Sequence, residues 1–223
     1  MPRSTSSRWA TFLKLSLAVL ALGYGFRGAV EQPADAGAPA SLPRFPLDLA
    51  AGTLGPLDAR LVLAEFGDYS CKFCINFDEG AFASLSRKYV ETGKMLFAFY
   101  HRPLPGSQSV SFRAATLAEC AAENGTFWEV HKAFFSRRGN LSPDSLGPLG
   151  RELGLIEPEC SRGRLRLAVA DQVALGEALR VNSTPTFFLG NRVGREVEIV
   201  VRWSGYSNLR EIEERIDATL SGR

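Results

Sequence analysis

The chain is poor in the residues that build metal centres and disulfide miniproteins: its 223 residues hold two histidines and four cysteines. His101 and His131 with a single C-x-x-C offer too few ligands for a zinc or copper site, so no metal and no cofactor is expected. Four cysteines are also too few for a fold built on disulfides. A charge excess is missing as well, with 26 Lys and Arg against 24 Asp and Glu and a formal net charge of +2. A nucleic-acid binder concentrates basic residues, so no nucleic acid is expected as a partner. The one dense run, Arg162, Arg164 and Arg166, reads as a solvated helix face. No internal repeat and no obvious second domain for dimerisation are present, and a monomer is expected.

What is present is globular in composition: 45% apolar, 22% charged and 10% aromatic residues. That excludes a disordered chain, a collagen-like repeat and a multi-span membrane protein. Arg3 and Arg8 precede an apolar stretch from Trp9 to Phe26, broken only by Lys14. Its length suits a cleaved signal peptide or, with Lys14 snorkelling to the interface, an uncleaved anchor, and both alternatives stay open for residues 1–30. Either way the folded part is exported. Residues 31–57, rich in Ala, Pro and Gly without an apolar period, read as a linker.

Residues 58–223 alternate strand and helix signals. Leu61 to Phe66 and Met95 to Tyr100 are continuous apolar runs, as expected of strands buried on both faces. Phe73, Phe77, Ala81, Leu85 and Tyr89 recur every four residues and mark one helix face. Ser109 to Glu123 reads as a helix, Thr126 to Glu129 as a capping box, Ser142-Pro143 as a helix start, and Pro158 to Arg180 as a longer helix. Phe187 to Leu189 is expected as a strand, Gly190-Asn191 as a turn, and Glu196 to Trp203 as the partner strand. Leu209, Ile212, Ile216 and Leu220 line a closing helix. The order is β-α-β, a helical insertion, then β-β-α.

The chemistry concentrates at Cys71-Lys72-Phe73-Cys74. A C-x-x-C between a buried strand and a helix places the first thiol at the helix N-terminus, where unpaired N–H groups and the macrodipole favour a thiolate. Cys71 is then the exchanging thiol, and Cys74, one turn inside, the resolving one. Lys72 adds a positive charge beside Cys71. An inert structural disulfide is the weaker alternative, since so short a loop gains little chain entropy.

The run Glu65-Phe66-Gly67-Asp68-Tyr69-Ser70-Cys71-Lys72-Phe73-Cys74, with Asn182-Ser183-Thr184-Pro185-Thr186-Phe187-Phe188, resembles the DsbA-like branch of the thioredoxin superfamily. Ala118-Glu119-Cys120-Ala121 and Phe127-Trp128-Glu129-Val130-His131 look like that branch's insertion helices. The resemblance implies an α/β thioredoxin-like fold, a central mixed sheet flanked by helices, with a helical insertion at about 106–180. It implies an extracytoplasmic, periplasmic thiol-disulfide oxidoreductase, tethered or secreted. Its partners would be cysteine-containing exported proteins and a membrane redox partner that resets the active site. Pro185 would be a cis-proline facing the active site, and the Thr184 backbone would pair with an extended substrate chain. Glu65 would move the proton of Cys74, the alternative being a strand-end carboxylate that reaches water. Phe73 would help to tune the redox potential.

Lys72 departs from the Pro that many relatives carry after the first cysteine, and Phe73 is not the His of the strongest oxidases. Thr184 is compatible with either direction of electron flow. An oxidase is the reading favoured; a reductase or isomerase of the same fold, or a non-catalytic membrane-tethered peptide-binding or chaperone module, are the alternatives. Cys120 and Cys160, both within the insertion and in an oxidising compartment, are expected to pair, the alternative being two separate buried thiols. His131, amid Trp128, Phe134 and Phe135, is expected to be a packing residue.

Overall fold

The computed structural model describes residues 43–103, 108–156, 159–161 and 163–222. The signal or anchor expected in residues 1–30 and the first part of the expected linker lie outside these. No helix among the described residues is long and apolar enough to cross a membrane.

Six strands form one mixed sheet: β1 (Arg44–Pro46), β2 (Gly52–Leu54), β3 (Leu61–Gly67), β4 (Met95–His101), β5 (Thr186–Val193) and β6 (Glu196–Ser204), in the order β1-β6-β5-β3-β4-β2. Only β3 and β4 run parallel, so the connection between them has to cross over through a helix. That helical stretch begins as α1 (Lys72–Phe77), passes a π turn at Asp78–Phe82, α2 (Ala83–Leu85) and a second π turn at Ser86–Val90. Phe77, Ala81, Leu85 and Tyr89 are all buried along it. A repeat of four residues drifts around a 3.6-residue helix; the wider π turns take up the drift and hold one face to the sheet.

Both runs that read as two-faced strands are fully buried, and alternate residues face two separate cores. Leu61, Leu63, Phe97, Phe99, Phe187 and Leu189 pack on one side with α1 and the insertion, whereas Val62, Ala64, Phe66, Leu96, Ala98 and Tyr100 pack on the other. Glu65 shares the period of Leu61 and Leu63, which aims its side chain at α1 rather than at solvent.

The insertion comprises α3 (Gln108–Glu123), α4 (Phe127–Phe135), α5 (Pro143–Glu152) and α6 (Gly163–Ala178). Ser142 caps α5 as a true capping box: its Oγ accepts from the Ser145 N–H at 3.1 Å, and Ser145 Oγ accepts from the Ser142 N–H at 2.8 Å. The chain closes with α7 (Leu209–Leu220), capped by Asn208 and buried through Ile212 and Ile216.

Four expectations need correction. Part of the stretch read as linker is folded, because β1 and β2 supply the two sheet edges. Three-residue edge strands carry no readable period; the signal is confined to buried Phe45 in β1 and to buried Leu47 in the 3-10 turn after it. The capping box at Thr126 does not form, since its N–H and Oγ1 both donate to the Ala121 carbonyl and finish α3 instead. The long helix is interrupted: Glu159–Ser161 is a short 3-10 turn, and α6 starts at Gly163. The β5–β6 turn lies at Gly194-Arg195, not Gly190-Asn191. Gly190 sits inside β5 at a register shift, where a Cβ would stand 2.3 Å from the Glu198 carbonyl oxygen. It marks a close approach of two backbones.

Candidate active site

Strand β3 delivers Glu65 and ends at Gly67; Asp68 to Ser70 turn the chain, and Cys71 caps α1 in an extended conformation at φ −81°, ψ 120°. The segment holds itself in place: the Ser70 N–H donates to Asp68 Oδ1 at 2.8 Å, and the Cys71 N–H to the Asp68 carbonyl at 3.0 Å. Across from Cys71 the chain enters β5 through a cis Thr184-Pro185 peptide bond. Cys71 Sγ donates to the Thr184 carbonyl at 3.2 Å, so C-x-x-C and proline loop meet 113 residues apart in sequence.

The two thiols are free and differ sharply in environment. Cys71 is partly exposed, whereas Cys74 is fully buried and accepts a long hydrogen bond from the Asp68 N–H at 3.5 Å. The Cys71 pKa is lowered to about 6, first by the Cys74 thiol, which donates to the thiolate, then by the Thr184 side-chain hydroxyl and the backbone N–H groups of Cys74 and Phe73, against the opposing effect of partial burial. Burial pushes the Cys74 thiol up, and its donation to Cys71 pushes it further. One sulfur is thus a thiolate near neutral pH while the other keeps its proton. Lys72 is not among the groups that lower Cys71; its side chain points to solvent. Phe73 contributes its amide, while the residue as a whole is 57% exposed.

Glu65 does not reach water. It is 1% exposed, pairs in register with Phe99 and Phe187 on the flanking strands, and its Oε1 has no hydrogen-bond partner. Burial raises its pKa well above the usual carboxylate range, the charges of Asp78 and Cys71 raise it further, and a hydrogen bond with the Cys74 thiol opposes them. Asp78 was not singled out from sequence. It lies four residues after Cys74 on the same helical stretch, and its N–H donates to the Cys74 carbonyl. Its pKa is raised to about 6 by burial and by Glu79, with Lys132 opposing. An acidic residue one turn beyond the second cysteine is the signal that could have found it.

His131 packs among aromatic rings, with Phe99, Trp128 and Phe135 at centroid distances of 4.6–5.0 Å. It also has polar neighbours, Nδ1 at 3.2 Å from the Tyr69 hydroxyl and Nε2 at 3.9 Å from Asp78 Oδ1. Burial pulls its pKa and that of His101 down to about 3, leaving both rings neutral. Cys120 and Cys160 form a disulfide that ties α3 to the 3-10 turn before α6, both half-cystines being buried. Among the described residues no cluster of three or more His, Cys, Asp or Glu is placed to hold a metal ion.

Residues 50–205 match the family model described as Thioredoxin. Disulfide bond formation protein D of Bacillus subtilis is 25% identical over 180 residues, covering 76% of this chain and 77% of that protein. A Na(+)/H(+) antiporter NhaA of Nitrosospira multiformis is 33% identical over 173 residues; the match covers 75% of this chain but spans only 26% of the antiporter. The crystal structure of alpha-DsbA1 from Wolbachia pipientis superposes with a TM-score of 0.67 at 22% identity, covering 76% of this chain and 90% of that one. A thioredoxin sheet interrupted by a helical insertion, with C-x-x-C opposite a cis-proline, places this chain in the thioredoxin family with a DsbA-like fold.

Proposed function

We propose that the protein is an extracytoplasmic thiol-disulfide oxidoreductase that acts as an oxidase on exported proteins. The observation that carries this reading is the asymmetry of the two sulfurs: a partly exposed Cys71 with a pKa of about 6 above a buried, protonated Cys74. In the oxidised protein, a substrate thiolate attacks Cys71 Sγ, the Cys71–Cys74 bond breaks, and Cys74 leaves and takes up a proton. The substrate's second thiolate then attacks the sulfur bonded to Cys71, forming the substrate disulfide and releasing the Cys71 thiolate. A group that stabilises the Cys71 thiolate stabilises the reduced protein and so makes the oxidised form a stronger oxidant. Glu65, against the Cys74 thiol, is the acid–base partner for that buried sulfur. Thr184, its carbonyl already facing Cys71, offers main-chain pairing to an extended substrate, and the exposed Phe73 ring offers it an apolar contact.

The buried Cys120–Cys160 disulfide suits an oxidising compartment, and the apolar stretch before residue 30 supplies export or tethering. A membrane redox partner that re-oxidises Cys71 and Cys74 completes the cycle, and the protein works as a monomer. The test is the reduction potential of the Cys71–Cys74 pair, equilibrated against glutathione while the Cys120–Cys160 disulfide is followed separately. An oxidase is expected to lie above about −200 mV, towards the roughly −120 mV of a strong disulfide donor; a value near the roughly −270 mV of thioredoxin overturns the oxidase reading in favour of a reductase.

A further inference from the structure

Exchange at Cys74 poses a proton problem that the substrate groove does not solve. Whenever Cys74 becomes a nucleophile its proton must leave, and Glu65, the carboxyl beside it, is sealed among Phe99, Phe187 and α1 at 1% exposure. A proton held there has to reach water before the next turnover. A second opening exists. A cleft of about 340 Å³ is lined by Asp78, His131, Lys132, Phe82, Trp128 and Arg87 among others, and neither Cys71 nor Thr184 lines it. Asp78 spans the two environments. Four residues from Cys74, it occupies the same helix face, its N–H bonded to the Cys74 carbonyl. Its carboxyl, 18% exposed, lines the cleft and faces His131 Nε2 at 3.9 Å.

We propose that Asp78 is a relay residue through which Glu65 exchanges the Cys74 proton with solvent in the cleft. This rests on the thiol-disulfide reading above. When a mixed disulfide on Cys71 is resolved, the Cys74 S–H proton passes to the Glu65 carboxylate. The Cys74 thiolate attacks Cys71 Sγ, the Cys71–Cys74 bond forms, and the departing partner leaves as a thiolate. Glu65 then returns its proton to the Asp78 carboxylate, and Asp78 releases it to water. His131 fixes the geometry: its Nδ1 lies within hydrogen-bond reach of the Tyr69 hydroxyl at 3.2 Å, which turns the opposite ring nitrogen, Nε2, towards Asp78.

The charged and titratable groups around Asp78 set when it can accept. They are Glu79 on its own helical stretch, itself paired with Arg138 at 2.6 Å, Lys132 and the neutral His131 on α4, and Glu65 on β3. Arg87 and Glu91 stand at the cleft wall. Below a pH of about 6 Asp78 holds its own proton and the route is blocked; above it the carboxylate can accept. The rate of resolution should therefore rise with pH through that point, in a species where Cys71 is disulfide-bonded and cannot titrate.

The experiment uses the full chain with a reporter thiol linked to Cys71, following reporter release from about pH 5 to about pH 8 in single turnover. In Asp78→Asn the inflection near pH 6 is expected to vanish and the rate at neutral pH to fall on the order of tenfold. Asp78→Glu should restore both. Lys132→Met, at an exposed position, should move the inflection upward by removing the cation that favours the carboxylate. In a Glu65→Gln background, Asp78→Asn should have no further effect. A wild-type profile for Asp78→Asn, or an equal effect in the Glu65→Gln background, overturns the relay while leaving the exchange reaction intact. If Asp78→Asn does not fold, an unmoved inflection in Lys132→Met overturns it. Failure of the unaltered protein to release the reporter at all instead overturns the thiol-disulfide reading.

Discussion

Cys71→Ser is expected to reduce thiol-disulfide exchange to the uncatalysed background, while the substitution leaves the fold intact. Cys71 is the N-cap of α1, and serine is among the preferred residues there, so the helix start is not harmed. The sulfur is the group that bonds to substrate, and no second thiol can replace it: Cys74 is fully buried with a raised pKa, and Cys120 and Cys160 are bonded to each other. Cys74→Ser should behave differently, still forming the mixed disulfide at Cys71 but unable to resolve it. The check is turnover of a dithiol peptide substrate, with mass analysis of the trapped adduct. Full activity in Cys71→Ser would contradict the assignment, and retained peptide binding without any exchange in the unaltered protein would favour a binding module.

The second large effect concerns stability. Replacing Cys120 and Cys160 together by Ala is expected to cost about 4 kcal/mol, because the bond closes a long loop of the unfolded chain. The separation is 40 residues, and the half-cystines join α3 to the segment leading into α6. For a domain of this size that corresponds to a drop in Tm of roughly 8–16 °C. Neither half-cystine is among the groups acting on Cys71, so the thiolate pKa near 6 should be unchanged. Thermal unfolding of the double variant beside the unaltered protein decides this. A loss below about 1 kcal/mol would mean that the insertion is held by its packing alone.

The legibility of the chain follows the physics of each segment. Strands buried on both faces announce themselves as unbroken apolar runs, and β3 and β4 fall within a residue of where Leu61 to Phe66 and Met95 to Tyr100 place them. Short edge strands have no such signature, and β1 and β2 were hidden in a stretch whose composition reads as linker. Gly190 illustrates an ambiguity of glycine: a turn residue by composition, it is here a strand residue chosen for lack of a Cβ. The sulfur chemistry was legible because a C-x-x-C after a buried strand carries its own geometry. Its tuning was not, since Lys72 is near in sequence yet turned to solvent, whereas the side chain of Thr184, 113 residues away, helps to lower the thiol's pKa. The contacts of His131 with Asp78 and Tyr69 were invisible for the same reason, as they arise only when α4 packs over the helix that follows Cys74.

The central claim is that the fold divides the two thiols into a reactive thiolate and a shielded, protonated partner. It is tested most directly by alkylating the reduced full-length protein across pH and identifying the modified cysteine by mass. Modification confined to Cys71, with a midpoint near pH 6, is the predicted result, Cys74 staying unmodified throughout. Equal modification of both cysteines, with a midpoint near the roughly 8.5 of an ordinary thiol, would contradict it.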